Sequence, residues 1–280
     1  MDVKFPISFV KMSGTGNDFI IIDHRRPLIP IEALAEFASR VCRRMFSVGA
    51  DGLILLENSD KADFSWRFYN ANGSVAEMCG NGARCAARFA FAKKIAGKKM
   101  SFETLAGIIE AEILGDGEEV SLLMTPPFDF RTGLQVSLGG EERTISFMNS
   151  GVPHAVLFMD SGMEIPVKEW GHEIRFHELF QPAGANANFV QALADGTIRV
   201  RTYERGVEDE TMACGTGAVA SAIFAGIEGI ATSPVKVLTS GGDQLTIIFE
   251  LKEGPVAENV YLHGPARIIY EGQLTAESLL

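Results

Sequence analysis

Two stretches of this chain repeat each other, and that repeat limits the fold more than any propensity, because a duplicated segment builds a duplicated structure. CGNGARCAARFA, from Cys79, and CGTGAVASAIFA, from Cys214, share the cysteine, both glycines and an Ala, Ala, Phe, Ala frame, with Ala86 matched to Ser221. The likeness spreads outward. SGTGNDFIIID from Ser13 parallels SGVPHAVLFMD from Ser150, and Tyr69-Asn70 ahead of the first cysteine answers Tyr203-Glu204 ahead of the second. A chain of 280 residues has room for two cores, since domains of roughly 100 to 150 residues are the commonest. Two similar halves are therefore expected, with a boundary near Thr125-Pro126-Pro127, where proline interrupts both helix and strand.

Within each half the pattern is α/β. Phe19 to Ile22, Gly52 to Leu56 and Trp66 to Tyr69 read as strands, bounded by Gly, Asp and Asn turn residues. Leu34, Phe37, Ala38 and Val41 fall at helical spacing within 31–44, after Pro30. A second helix is expected over 83–96, behind Gly80 and Gly82. The second half repeats the plan with strands at 155–159, 189–193, 198–203, 235–239 and 244–251 and a helix over 217–225. The last apolar segment, Ala266 to Tyr270, has no partner that propensity can assign.

Composition narrows the function. The formal net charge of −11, with no basic run, argues against a nucleic-acid partner. No stretch approaches the roughly 20 apolar residues of a membrane span, and the first residues lack the charged start and apolar core of a secretory signal. The cytoplasm is the expected compartment. Cys42, Cys79, Cys85 and Cys214 are too few for a disulfide scaffold in a chain this long. Cys79 and Cys85, six apart, and His172-Glu173 with His177-Glu178 do not make a zinc pattern. No bound metal is expected.

A cysteine just ahead of a glycine-bracketed helix start has a definite chemistry. The first turn exposes unpaired backbone N–H groups and the positive end of the helix dipole, which hold a carboxylate or stabilise a thiolate. Such a thiol titrates below its usual value of about 8.5. Neither cysteine has a histidine beside it in sequence, and a single nucleophile needs no duplicate. Inverting a carbon centre, by contrast, needs one acid/base group to take a proton and a second to return one from the opposite side. Helix-start N–H groups would stabilise the carbanionic intermediate through the carboxylate. No glycine-rich phosphate loop or pyridoxal phosphate signature appears, so no cofactor is expected. Taken singly, Cys42 and Cys85 read as packing residues.

At these residues the chain resembles the diaminopimelate epimerase family. The likeness is carried by KMSGTGNDF from Lys11, GADGLILLE from Gly49, FYNANGSVAEMCGNGARCAARF from Phe68, GVPHAV from Gly151, GANANFV from Gly184 and YERGVEDETMACGTGA from Tyr203. The resemblance implies interconversion of LL- and meso-diaminopimelate on the lysine and peptidoglycan precursor route, with Cys79 and Cys214 as facing acid/base thiols. His154 and Glu204 fall on the family's histidine and glutamate near the reacting centre. Asn17, Asn70, Asn186, Glu204 and Arg205 fall on its substrate contacts, with backbone contacts at Gly80, Asn81, Gly215 and Thr216. Arg205 suits a distant second carboxylate, which its planar fork grips with two hydrogen bonds. The implied fold is α/β (α+β): two pseudosymmetric domains, each a curved mixed sheet or barrel around a central helix. They cover 1–126 plus 265–280 and 127–264, with the substrate between them. A homodimer is the candidate assembly.

The chain departs from the common family pattern at several points. Asn72 stands where Asp is frequent, Met78 where Gln is frequent, and Val152 where Asn precedes Pro-His. Met45 and Ser47 replace a His and a Gly, and Gly52 replaces a Gln whose side chain meets substrate. These changes bear on affinity more than on chemistry. Without the family, Glu204-Arg205 would read as a surface ion pair and the asparagines as turn residues. A racemase for proline or histidine on the same architecture is the nearest rival; the proline type carries His at the position of Asn81. A binding protein that has lost turnover is the rival from another class.

Overall fold

The structure is a computed structural model describing residues 3–254 and 256–280. The chain divides into two compact units, Met1–Leu122 with Gly264–Leu280, and Leu123–His263.

The first unit contains β1 (Ile7–Gly14), β2 (Asn17–Asp23), α1 (Leu34–Val41), β3 (Gly52–Glu57), β4 (Phe64–Asn70), α2 (Gly80–Ala92), β5 (Lys99–Thr104), β6 (Gly107–Leu114) and β7 (Glu119–Leu123). Its sheet begins with the chain's last strand, Arg267–Leu274, antiparallel to β1, and runs on in order from β1 to β7. The segment that propensity could not place therefore finds its partner at the other end of the sequence. Pairing β2 with β3 and β4 with β5 is parallel, because α1 and α2 carry the two crossovers; every other pair is antiparallel.

The second unit comprises β8 (Phe128–Leu138), β9 (Glu141–Asn149), β10 (Pro153–Met159), α3 (Val167–Phe176), β11 (Asn186–Ala192), β12 (Ile198–Glu204), β13 (Asp209–Thr211), α4 (Gly215–Ile227), β14 (Val235–Thr239), β15 (Gln244–Lys252) and β16 (Val256–Pro265); the last strand is then β17. Strand order β8 to β12, then β14 to β16, repeats the first unit's run of orientations, with β10–β11 and β12–β14 parallel. The short β13, paired to β12, is matched in the first unit by a single antiparallel bridge between Tyr69 and Val75.

In each unit the second helix is the core. α2 packs against β1, β2, β3 and β6, and α4 against β9, β10, β11, β12, β14 and β15. One helix reaches strands that far apart in the order only if the sheet curls around it. Residues Gly217 to Ala225 of α4 are all buried, as expected of a helix with almost no polar face. The first helix of each unit covers the outside. α1 packs Leu34, Phe37, Ala38 and Val41 onto Ile20, Ile22, Leu53 and Leu55; Trp170 and Ile174 of α3 do the same over Leu157, Ala187 and Phe189. Strands covered on both faces read as unbroken apolar runs, which is why β2 and β3 were legible.

Boundaries shift for local reasons. The helix expected over 83–96 spans Gly80–Ala92, since Cys79 in extended geometry is the N-cap and the chain leaves the helix with Lys94 at φ 56. The helix expected over 31–44 opens as a 3-10 turn, Ile31–Ala33, and ends at Val41. α3 was not expected, because Gly171 sits mid-helix; a Cβ there would lie 2.3 Å from that of Tyr203, so close packing demands the glycine.

Candidate active site

Cys79 and Cys214 occupy the same place in their units: each is the extended N-cap of a 13-residue helix, without a side-chain cap hydrogen bond. Their carbonyls accept the first helical bonds, from the N–H groups of Ala83 and Ala218. The N–H groups of the residues between, Gly80 to Gly82 and Gly215 to Gly217, have no intrahelical partner. Both thiols are partly exposed. Cys42 and Cys85 differ: both are buried, and burial pushes each thiol up to about 12, so they stay protonated.

Beside the start of Cys79's helix the first unit builds a polar network from several segments. Arg84, fully buried, donates to Thr15 Oγ1 (2.7 Å) and Asn81 Oδ1 (2.8 Å). Asn81 donates in turn to Asn17 Oδ1 (2.7 Å), and Asn17 donates to Asp51 Oδ2 (3.0 Å). Asp51 and Asp18 share Arg44, and Lys11 lies 2.8 Å from Asp18. Burial alone would raise the Asp18 carboxyl, but hydrogen bonds from Arg44 and Lys11 outweigh it and hold the group below its usual range. The Asn81 side chain is thus committed to the protein. Asn70, at the end of β4, donates to Ser74 Oγ (3.0 Å).

The family's glutamine has no room in this chain. A Cβ on Gly52 would lie 2.5 Å from the Phe68 ring and 2.8 Å from the Tyr69 carbonyl. Gly52→Gln is therefore expected to destabilise the protein by about 1–3 kcal/mol through overpacking and to gain no affinity. Urea unfolding checks it; an unchanged midpoint would contradict the packing.

In the second unit, β10 and β11 run parallel with His154 opposite Asn186. Alternation puts Ala155 and Leu157 toward α3 and His154 toward α4. His154, 0 % exposed, meets Thr216 Oγ1 through Nε2 (2.8 Å) and Asn188 Nδ2 through Nδ1 (3.0 Å). Burial first, and the Arg205 charge second, hold the imidazole down to about 3. His154 is accordingly neutral. Asn186 is buried and accepts from the Arg205 N–H (2.8 Å); the Arg205 guanidinium donates to the Ala183 carbonyl (2.9 Å). Burial raises the Glu204 carboxyl. Sequence reasoning missed Asn188, whose only signal was alternation with Asn186 along one strand.

The buried neutral histidine has a pH consequence. Its folded pKa lies below the unfolded value of about 6.5, so its contribution to stability is complete above pH 6.5. That contribution is lost as pH falls toward 3, at no more than about 1.4 kcal/mol per pH unit. His154→Gln should remove one proton's worth of that slope. Urea unfolding between pH 6.5 and 4 reads it, and equal slopes in parent and variant would refute it.

The family profile for diaminopimelate epimerase matches residues 9–128 and 146–269. The chain belongs to the diaminopimelate epimerase family. It is 46% identical to a diaminopimelate epimerase from Aquifex aeolicus (strain VF5), covering 98% of this chain and 99% of that one. It is 40% identical to one from Archaeoglobus fulgidus, covering 98% of both. Among solved structures, a phenazine biosynthesis protein of the PhzF family from Bacillus anthracis superposes with a TM-score of 0.72 at 14% identity, covering 97% of this chain and 100% of that one. A probable proline racemase from Agrobacterium radiobacter K84 reaches 0.69 at 18% identity, covering 96% and 93%. At such identities the two structures share the fold, the diaminopimelate epimerase-like arrangement of two α/β units. Among the described residues, no helix is long and apolar enough to cross a membrane, and no group of three or more His, Cys, Asp or Glu could hold a metal ion.

Proposed function

We infer that this chain interconverts LL- and meso-diaminopimelate, with Cys79 and Cys214 as the two acid/base groups and no cofactor. The observation that carries the reading is the doubled unit: in a chain of this family, a partly exposed cysteine caps an otherwise uncapped, glycine-bracketed helix start, twice. One sulfur, as thiolate, takes the α-proton while the other, as thiol, returns a proton to the opposite face. The Cα–H bond breaks, its electron pair passes through the carboxylate-stabilised carbanion, and a new Cα–H bond forms. The sulfurs end with their protonation states exchanged. Backbone N–H groups at Gly80, Asn81, Gly215 and Thr216 hold the carboxylate as charge develops on it. Arg205 grips the distant carboxylate, Glu204 accepts from the ammonium group, and Asn17, Asn70 and Asn186 complete the contacts. The lysine and peptidoglycan precursor route and the cytoplasm follow as the setting.

Incubation with LL-diaminopimelate and, separately, with L-histidine in deuterated water tests the reading. Loss of the α-proton signal from diaminopimelate alone supports it. Exchange of histidine alone, or of neither, overturns it.

A further inference from the structure

The two pseudosymmetric helix starts rest on different floors. A Cβ on Gly82 would meet Ile54 and Phe19; one on Gly217 would meet Asn188 and His154. Phe19 pairs with Gly52 two residues before Ile54, and His154 pairs with Asn186 two residues before Asn188. The four positions therefore correspond, two residues out of step with the SGTGNDF and SGVPHAV likeness read from sequence. Beneath Cys79's helix the pair is apolar; beneath Cys214's it is a buried hydrogen-bonding pair.

That polar pair has a fixed direction. Asn188 Nδ2 lies 3.0 Å from the Ala155 carbonyl, which can only accept, and Thr202 Oγ1 donates to Asn188 Oδ1 (2.9 Å). The Ala155 contact orients the amide without reference to the histidine, and the Thr202 hydroxyl, able to donate or accept, adapts to it. Asn188 thus donates to His154 Nδ1, which leaves the imidazole proton on Nε2. Nε2–H then donates to Thr216 Oγ1, 2.8 Å away, so the threonine hydroxyl proton points elsewhere. Cys214 Sγ lies 3.5 Å from Thr216 Oγ1. We propose that Asn188 is a positioning residue: by fixing the His154 tautomer it turns the Thr216 hydroxyl into a hydrogen-bond donor to Cys214 and favours the thiolate there. The proposal rests on the reading of Cys214 as an acid/base thiol. It acts on Cys214, since the positions that correspond to His154 and Asn188 under Gly82 are Phe19 and Ile54.

Other charges packed against α4 are few. β12 carries Arg199, which is exposed, Arg201, paired with Glu210, and Glu204, followed by Arg205, while β11 carries none; Lys236 of β14, Glu250 and Lys252 of β15 and Glu141 and Glu142 of β9 are exposed. Arg143 of β9 stacks over Trp170.

The test is the pH profile of iodoacetamide alkylation at Cys214, followed by intact mass in a Cys79→Ser background. Asn188→Asp replaces the donor to Nδ1 by an acceptor; the imidazole proton moves to Nδ1, Nε2 becomes an acceptor, and the Thr216 proton turns toward it. The Cys214 midpoint should then rise by about one pH unit, the size of one charge-assisted hydrogen bond. The Cys79 midpoint, read in a Cys214→Ser background, should not move. Thr216→Val removes the last link and should give the same rise, which keeps the test alive if Asn188→Asp fails to fold. An unchanged Cys214 midpoint in either folded variant, or an equal rise at both cysteines, overturns the proposal. Alkylation needs no substrate, so a shift seen in protein that exchanges no diaminopimelate proton would uphold the hydrogen-bond chain and reject the substrate reading.

Discussion

Cys79→Ala and Cys214→Ala proteins will fold as the parent does and will each have lost α-proton inversion of diaminopimelate by about 10²–10⁴-fold, the usual weight of a positioned acid/base group. Folding is expected to survive because each thiol is only partly buried and makes no side-chain cap bond to its helix. Since inversion needs both groups in each turnover, the double variant should be scarcely worse than either single one. Cys42→Ala and Cys85→Ala will behave oppositely. Their thiols are buried and protonated, so activity should hold while stability falls by about 1 kcal/mol, the size of a small core deletion. Proton NMR in deuterated water measures the first effect and urea unfolding the second. Full activity in either Cys79→Ala or Cys214→Ala would end the two-thiol account.

Arg84→Met should cost about 2–4 kcal/mol of stability. The guanidinium is fully buried and binds Thr15 Oγ1 and Asn81 Oδ1, with the Gly80 and Pro265 carbonyls at 3.4 Å. Methionine fills much of the volume but removes two charge-assisted hydrogen bonds, worth about 1.5–3 kcal/mol each, and leaves Thr15 Oγ1 and Asn81 Oδ1 only their bond to each other (2.9 Å). The loss should reach the site as well. Asn81 is held by Arg84 on one side and holds Asn17 on the other, so KM for diaminopimelate should rise more than kcat falls. The urea midpoint and steady-state kinetics read the two parts; a stability change within about 0.5 kcal/mol would show that the network carries no weight.

Much of the site was legible because its chemistry is local. Cysteine, glycine and small residues in one order declare a helix start that can hold an anion, and their recurrence declares two such starts. The asparagine network around Cys79 was only half legible. Asn17 and Asn81 lie 64 residues apart, and nothing short of the folded sheet shows that the Asn81 side chain is spent on hydrogen bonds within the protein. Asn188 was invisible for a related reason. Its neighbours His154, Ala155 and Thr202 come from other strands, and register decides which side chains meet. Gly52 read as a missing substrate contact, whereas packing makes it a necessity: Phe68 and Tyr69 fill the space a larger residue would need.

The sequence by itself determined that the chain is built from two like halves, where each central helix begins, and which two thiols stand at those beginnings. These are matters of periodicity and composition, which act between residues near in the chain. The resemblance returns the last strand to the first half, but tertiary structure alone decided that β1 is its partner, that His154 is buried and neutral, and that the two helix starts lie over unlike floors. Those outcomes depend on strand register and desolvation, which arise only when segments far apart in sequence come into contact.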